Sequence, residues 1–537
     1  MKELCSIFIG QAGVQIASAV WEMFCLEHGI SRDGTIQYDP TLTERNELNT
    51  VFQELTPRDV YIPRAVLADL EPSVIDEIRD GAYKNLFNPE TLIAGMEDAA
   101  GNFARGYYTL GGKAVGALTN ATRRLIEKCE NFQGIIAFSA LGGGTGSGLL
   151  SMFQERASLE FAGRHTLQLS IIPSDQLAVG PVEVYNCVHH LYHSSDHCDL
   201  SIMLDNSALY NMCTKELAVL RPTYTTVNRI IGPVVAGVTS TMRFKCYLNA
   251  NINEYLTNLI PFPAIHYPMV TLVPFCTNME AERNRYTTQI LTHMVFKPDY
   301  RTVSTIPDDG VTLSTCLTYR GQHSIAEVAK TIEEMREERL TLVDWCPTAF
   351  KVAYTPQPPT TVPGMGPDKI TRSLVMITNN TVISDVFNRI AITFTNLFSK
   401  RAFLHWYVGE GMEMDEFNDA LEKIRTTASD IAALEAEGVS KKQKEDDATT
   451  TVPRKLGGSV SKTDTSNSAG PRRLITRGTG NNSAPEPPIH QLMNYQECPI
   501  WLEKSGRTRP RLRKGKDRTP LKDQLGDIYL TPKLSAT

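Results

Sequence analysis

Gly142, Gly143, Gly144, Gly146 and Gly148 fall within one short segment, with Thr145 and Ser147 between the last three. Glycines let a backbone approach phosphate oxygens closely, and a helix that starts just beyond them offers unpaired N–H groups and a positive dipole end. The two hydroxyls add donors. An apolar run at 134–138 precedes the loop, and Leu149, Leu150 and Phe153 follow at helical spacing, so the loop sits at a strand-to-helix junction. A plain turn gains nothing from so many glycines, each of which costs backbone entropy. No Lys follows them, which excludes a Walker loop. No register gives GxGxxG with a third Gly or Ala, which excludes the dinucleotide fingerprint. A third kind of phosphate cradle remains.

A second group of chemical residues reads differently. His189, His193 and His197 recur every fourth residue, with Cys198 adjacent. On a helix they share one face, which is a metal-ligand pattern in principle. No carboxylate-rich context and no second cluster support it, so the expected reading is a polar surface face.

The loop needs a frame. Short apolar runs at 4–9, 65–70, 134–138, 167–172 and 200–204 alternate with stretches of helical periodicity, such as Val14, Ala17, Val20, Trp21 and Phe24. Strand, loop and helix in repetition predict an α/β fold with a parallel sheet covered by helices. Polar residues collect just past several strand ends, the edge where such sheets bind ligands. A long helix is expected from near Tyr224 through Ile230, Ile231 and Val235. Mixed strands and helices follow Arg243, and a Pro- and Gly-rich loop spans 356–367. Two one-faced helices follow, one with Val386, Ile390, Phe394 and Leu397, the other with Phe417, Leu421, Ile424, Ala428 and Ile431. The second carries acidic residues on its remaining positions and reads as a surface helix.

Composition marks one more boundary. The 537-residue chain has a net charge of −6, but from 440 onward it has 19 Lys and Arg against 10 Asp and Glu, a net of +9. The part before 440 holds 35 basic and 50 acidic residues, a net of −15. An acidic body and a basic tail suggest different partners. Most of 440–537 is rich in Lys, Thr, Ser, Asn, Gly and Pro and reads as disordered. The expected division is a nucleotide-binding α/β domain over 1–205, a base-contact loop and core helix over 206–245, a mixed α/β domain over 246–380, C-terminal helices over 381–439, and the tail. The eleven Cys form no CxxC pair, and the opening segment lacks a signal-peptide pattern, which suggests reduced thiols in a cytoplasmic protein. No apolar run approaches the roughly 20 residues a membrane span needs, so no membrane insertion is expected.

The glycine loop is similar to the signature loop of the tubulin family. So are Gly10-Gln11-Ala12-Gly13-Val14-Gln15-Ile16, Asp69-Leu70-Glu71-Pro72, Glu97-Asp98-Ala99-Ala100, Arg221-Pro222-Thr223-Tyr224, Asp344-Trp345-Cys346-Pro347-Thr348 and the run from Arg401 to Met412. The resemblance covers residues 1–437 in order. Glu254 where β-type chains have Lys, the longer loop at 358–368, and Cys25-Leu26-Glu27-His28-Gly29-Ile30 place it on the α side of the family. The resemblance implies a GTP-binding structural subunit of microtubules, in the cytoplasm and cytoskeleton, paired with β-tubulin and with no role for DNA. A nonpolymerising GTP-binding relative is the alternative, and a free-standing GTPase a second.

The resemblance also implies roles. Gly10 and Gln11 would lie beside the phosphates of GTP, and Gly143, Gly144, Thr145 and Gly146 would cradle them. Asp98 and Ala99 would belong to the phosphate-side loop. Glu71, with Asp69 nearby, would hold Mg²⁺, since a carboxylate suits a hard cation. Glu183 would approach the ribose, Asn206 and Asn228 would read the guanine edge, and Tyr224 would stack on its face. Ala140 and Val179 stand at nucleotide-facing positions where the family has Ser and Thr, and Gly101 stands for Asn. Each change removes a hydrogen bond, typically worth ~0.5–1.5 kcal/mol. Glu254 would act on the GTP of a β partner by orienting the attacking water. Asn251 replaces an Asp just before it, and Ala264 replaces an Arg. Pro40 stands where many relatives carry an acetylated Lys, and the chain ends without the usual acidic stretch and Tyr, so those modifications are not expected. The tail's run of Arg507, Arg509, Arg511, Arg513, Lys514, Lys516 and Arg518 suits acidic tubulin tails, with RNA and anionic lipid as other takers. Few aromatics flank it, which argues against base stacking.

Overall fold

The computed structural model describes residues 2–450, apart from 38–46, 56–59, 175–177, 306–309, 339–340, 344, 347 and 363–369. Pro40, Asp344, Pro347, part of the 358–368 loop and the tail's basic run therefore lie outside the described residues. The chain divides into Met1–Arg454 and Lys455–Thr537, and all the described residues belong to the first.

Apolar runs bounded by turn residues form the strands. β1 (Glu3–Ile9) is buried along its whole length and feeds directly into helix α1 (Gly10–His28). The hairpin β2 (Phe52–Leu55) and β3 (Val60–Pro63) is a separate antiparallel pair. β4 (Ala65–Asp69) leads to α2 (Pro72–Asp80), with Pro at the first helical position, where its missing N–H costs nothing. β5 (Leu92–Ala94), α3 (Gly111–Glu127), β6 (Phe132–Ala140), α4 (Leu150–Glu160), β7 (His165–Ile172), α5 (Glu183–Ser194), β8 (Leu200–Asp205), α6 (Asn206–Lys215) and α7 (Tyr224–Val238) continue the alternation. α8 (Ile252–Leu259), β9 (Met269–Val273), α9 (Thr288–Val295), β10 (Thr312–Gly321), α10 (Ile325–Glu338), β11 (Phe350–Thr355) and β12 (Arg372–Asn380) follow. α11 (Ile383–Ser399), α12 (Leu404–Gly409) and α13 (Met414–Thr450) come last.

One ten-stranded sheet runs β11-β10-β12-β9-β8-β7-β6-β1-β4-β5. It is parallel from β5 through β9, antiparallel on both sides of β12, and parallel again between β10 and β11. The α/β fold class expected from the sequence is thus present. The sheet is continuous through β9, so the two α/β regions share one frame. Phe8 and Phe138 stack at 4.5 Å between β1 and β6, and α7 packs its Val227, Ile230, Ile231, Val234 and Val235 face into the same core.

α13 buries Phe417, Leu421, Ile424, Ala428 and Ile431, as its periodicity suggests. It runs past Gly438 to Thr450, beyond the point where the composition changes. A single Gly costs a helix about 1 kcal/mol, and no Gly or Pro follows until Pro453, so nothing in that stretch stops it.

The histidine face is not a polar surface. His189 and His190 are fully buried. His189 lies 4.5 Å from the Phe417 ring and 5.5 Å from Phe103, which carries a stack on to His193 at 5.6 Å. Burial pushes the His189 imidazole down to about 3 and His193 down to about 4, so both are neutral at physiological pH. Spacing of four placed His189 and His193 on one face, which turns inward at His189 because α11 and α13 cover it, while His197 lies past the end of α5.

Candidate functional site

The parallel strands end together on one side, and a cleft of about 550 Å³ opens there. β1 supplies Gly10, Gln11 and Gln15 at its junction with α1, β4 supplies Asp69 and Glu71, and β6 supplies Ala140 and the glycine loop from Gly142 to Gly146. Asp98, Gly101, Ser174, Val179, Glu183, Asn206 and Tyr224 close the remaining walls.

Gly10 has φ +77, and a Cβ there would come within 3.0 Å of the Gly146 nitrogen, so the two loops touch backbone to backbone. A left-handed conformation costs a non-glycine residue about 1–2 kcal/mol. At Gly148 a Cβ would meet the Phe103 carbonyl at 2.6 Å and the Gly106 carbonyl carbon at 2.7 Å. Two π-helical turns, Arg105–Thr109 and Thr145–Leu149, meet at this contact. Widened turns of this kind collect at functional sites.

Asp69 is almost fully buried, and its Oδ1 receives the Glu71 N–H at 3.3 Å. Its Oδ2 has no partner among the described residues. Burial drives the carboxyl up to about 7, the Glu71 and Leu70 amides pull it partly back, and the nearby Asp98 and Glu71 carboxylates raise it further. Such a group calls for a cation. No set of three or more His, Cys, Asp or Glu side chains is gathered to hold a metal alone among the described residues. Magnesium keeps several waters and needs only one or two carboxylates beside phosphate oxygens. Ser73 donates to Glu71 Oε1 at 2.5 Å, and the Asp98 carboxylate receives the Ala100 N–H at 2.9 Å.

Glu183 Oε1 accepts from the Val179 and Gly180 amides at 2.7 and 2.9 Å, which folds that rim over Gly142. Val179 is 83% exposed at the rim and presents no polar atom beyond its backbone. Tyr224 is half-exposed at the start of α7 and meets Tyr210 edge-on at 6.3 Å. Asn206 opens α6 directly after β8.

Two residues expected beside the nucleotide, Ala99 and Asn228, do not line the cleft, and neither does Glu254, which was expected to act on a partner's GTP. Ala99 is fully buried behind Gly144. Asn228 lies one helical turn after Tyr224 on α7 and is not among the lining residues. Glu254 lies in the first turn of α8.

Sequence reasoning passed over Asn186. Its Nδ2 donates to the carbonyls of Gly101 and Gly142, both at 2.7 Å. Its Oδ1 accepts from the Phe103 N–H at 2.9 Å and the Tyr407 hydroxyl at 2.7 Å. One fully buried amide therefore ties the glycine loop, the 98–103 loop and α12 together. The only clue in the sequence is its three-residue spacing from Glu183 on one helix face. His190 was also missed. It contacts the Ser147 carbonyl at 3.1 Å, Ser151 Oγ at 2.9 Å and Gln168 Nε2 at 2.6 Å, and burial holds it near 4 and neutral.

This geometry coincides with known families. Residues 3–214 match the Tubulin/FtsZ family GTPase domain, and residues 263–392 match the tubulin C-terminal domain. The chain is 41% identical to the tubulin alpha-1 chain of Arabidopsis thaliana over 449 residues, covering all of that relative and 83% of this chain. The chain belongs to the tubulin family. As a tubulin it is a GTP-binding subunit related to cytoskeletal proteins. Among the described residues no helix is long and apolar enough to cross a membrane.

Proposed function

We propose that this tubulin is an α-type subunit that holds GTP in the cleft, pairs with β-tubulin, and offers Glu254 to the partner's GTP. The observation that carries the first part is the cleft itself. It gathers Gly10, Gln11, Gly143, Gly144, Thr145 and Gly146 around the strand ends, with the unpartnered Asp69 oxygen in its wall. Asp69 and Glu71 would hold magnesium, which would neutralise phosphate charge. Asn206 and Tyr224 at the opposite end would take the base, and Glu183 would shape the ribose rim.

Glu254 supports the second part by its absence from the cleft. A carboxylate on α8 does not serve a nucleotide that its own chain holds elsewhere. The surface around it suits contact with another chain, since Tyr247 is 71% exposed and Leu248 is also exposed just before α8. The carboxylate would orient the attacking water and accept its proton as the bond to the γ-phosphorus forms. A nonpolymerising role is the second reading, and the apolar Val179 and Ala140 in the cleft wall favour it by removing side-chain contacts to a nucleotide.

Purification of the tagged full chain from its own cells tests both parts. The expected result is β-tubulin in equal amount and guanine nucleotide in the chain's own site. Recovery of the chain alone but loaded with nucleotide would favour the nonpolymerising reading, and an empty site would overturn the cleft assignment.

A further inference from the structure

We infer that Lys351 is the positioning residue for the Glu254 carboxylate. The inference rests on the reading of Glu254 given above and adds the device that aims it. Lys351 Nζ lies 2.5 Å from Glu254 Oε2. The ammonium holds Oε2, which leaves Oε1 as the oxygen to receive a water.

Both partners stand on one stiff mount. Lys351 lies on the edge strand β11, in register with Cys316 of β10. The segment that leads into α8 is fastened to that same strand. Tyr247 and Leu248 donate their amides to the Tyr354 carbonyl at 3.1 and 3.4 Å, and Tyr354 donates back to the Leu248 carbonyl at 3.0 Å. The Tyr247 and Tyr354 rings stack at 5.6 Å across this join. The backbone positions of the two charges are therefore set by one ladder rather than by a flexible loop. The N-cap residue Asn251 makes no cap, and its Oδ1 instead takes the ammonium of Lys2. Two lysines thus secure the first turn of α8, but only Lys351 reaches the carboxylate.

The pair has a chemical purpose that stability does not require. The Glu254 and Lys351 side chains are 33% and 29% exposed, and ion pairs this wet contribute little to folding. A bare carboxylate brought up to a partner's triphosphate meets charge of its own sign. A cation fixed beside it lowers that repulsion and holds one rotamer, so that the carboxylate arrives already aimed.

The test uses the full chain co-expressed with β-tubulin and purified as the dimer, with variants K351M, K351R and E254A and the double variant K351M/E254A. Hydrolysis of GTP per assembled subunit is read beside the nucleotide content and melting temperature of each dimer. K351M is expected to slow hydrolysis about ten-fold, the loss of one charge-assisted contact, while content and melting stay at the parent level. K351R should recover most of the rate, and the double variant should be no slower than E254A alone. A parent-like rate in K351M beside a slow E254A would overturn the role of Lys351 and leave Glu254 standing. Parent-like rates in both would overturn the reading of Glu254 itself. A fall in nucleotide content or melting temperature that Arg does not rescue would make Lys351 structural or a direct phosphate contact, and the inference would fail.

Discussion

Glu27 and Glu254 are both carboxylates paired with cations, and they sit in opposite surroundings. Glu27 is fully buried between Arg243 at 2.6 Å and Arg320 at 2.8 Å. Arg243 also lies 4.3 Å from the Phe24 ring, donates to the Ala236 carbonyl at 2.6 Å and contacts the neutral His28 at 3.1 Å. Glu254 has one cation and a half-buried side chain. The first arrangement joins α1, α7 and β10 inside the core and allows no alternative. The second lies in the first turn of α8, on a single cation. Asp69 is the third case, a buried carboxylate with no cation of its own. Burial and pairing separate the three: Glu27 is buried with two cations, Asp69 is buried without one, and Glu254 is half-buried with one.

The sharpest way to break this comparison is Glu27→Ala. It leaves two buried guanidiniums unpaired and should destabilise the chain by about 3–5 kcal/mol, measured by denaturant unfolding of the full chain. Burial pushes the Glu27 carboxyl up, but Arg243 and then Arg320 more than offset this and hold it below its ordinary value. Its contribution is therefore present above the unfolded carboxyl range near pH 4.5 and lost as pH falls through the lower, folded range. Loss below 1 kcal/mol would mean that the core tolerates bare Arg243 and Arg320.

Asp69 should show the opposite sign. Its folded carboxyl titrates near 7 against an ordinary 3.8. Without magnesium, stability should be full below pH 4 and fall by up to about 4 kcal/mol as pH rises through 7. Asp69→Asn should remove that slope in EDTA and weaken magnesium binding together. A melting temperature in EDTA that does not change between pH 5 and 8 would contradict the description of Asp69.

Asn186→Asp keeps the shape and loses both donors to Gly101 and Gly142. The cost expected is about 1–3 kcal/mol, with faster release of guanine nucleotide because two cleft loops are no longer fastened. Unchanged release with lowered stability would reduce Asn186 to a core residue. The smallest effect belongs to Lys351→Met, at most about 1 kcal/mol of stability. A larger loss would erase the contrast with Glu27.

The parts legible in the sequence were those written locally. Five apolar runs became β1, β4, β6, β7 and β8, and the glycines from Gly142 to Gly148 could be read as a cradle because their spacing is itself the geometry. The helix over Phe417 to Ile431 showed its apolar stripe. What long-range packing decides was not legible. His189 looks polar until α11 and α13 cover it. Asn186 is one amide among many until Gly101, Gly142 and Tyr407 converge on it. The join through β9 depends on Met269 pairing with Met203, across a separation that no periodicity reports. Gly438 and the Lys-rich stretch after it suggested a boundary, yet a lone glycine does not end a helix.

The separation of the cleft from Glu254 also restricts symmetry. On the reading proposed above, the cleft that holds one GTP and the carboxylate offered to another are different patches of this chain. A contact that uses each patch in turn on successive subunits is heterologous, head to tail, and each added subunit leaves one patch open. Such contacts close only if a fixed rotation brings the last subunit back to the first; otherwise growth is open-ended. A two-fold pair in which the two patches meet reciprocally would instead close after two subunits and end the row.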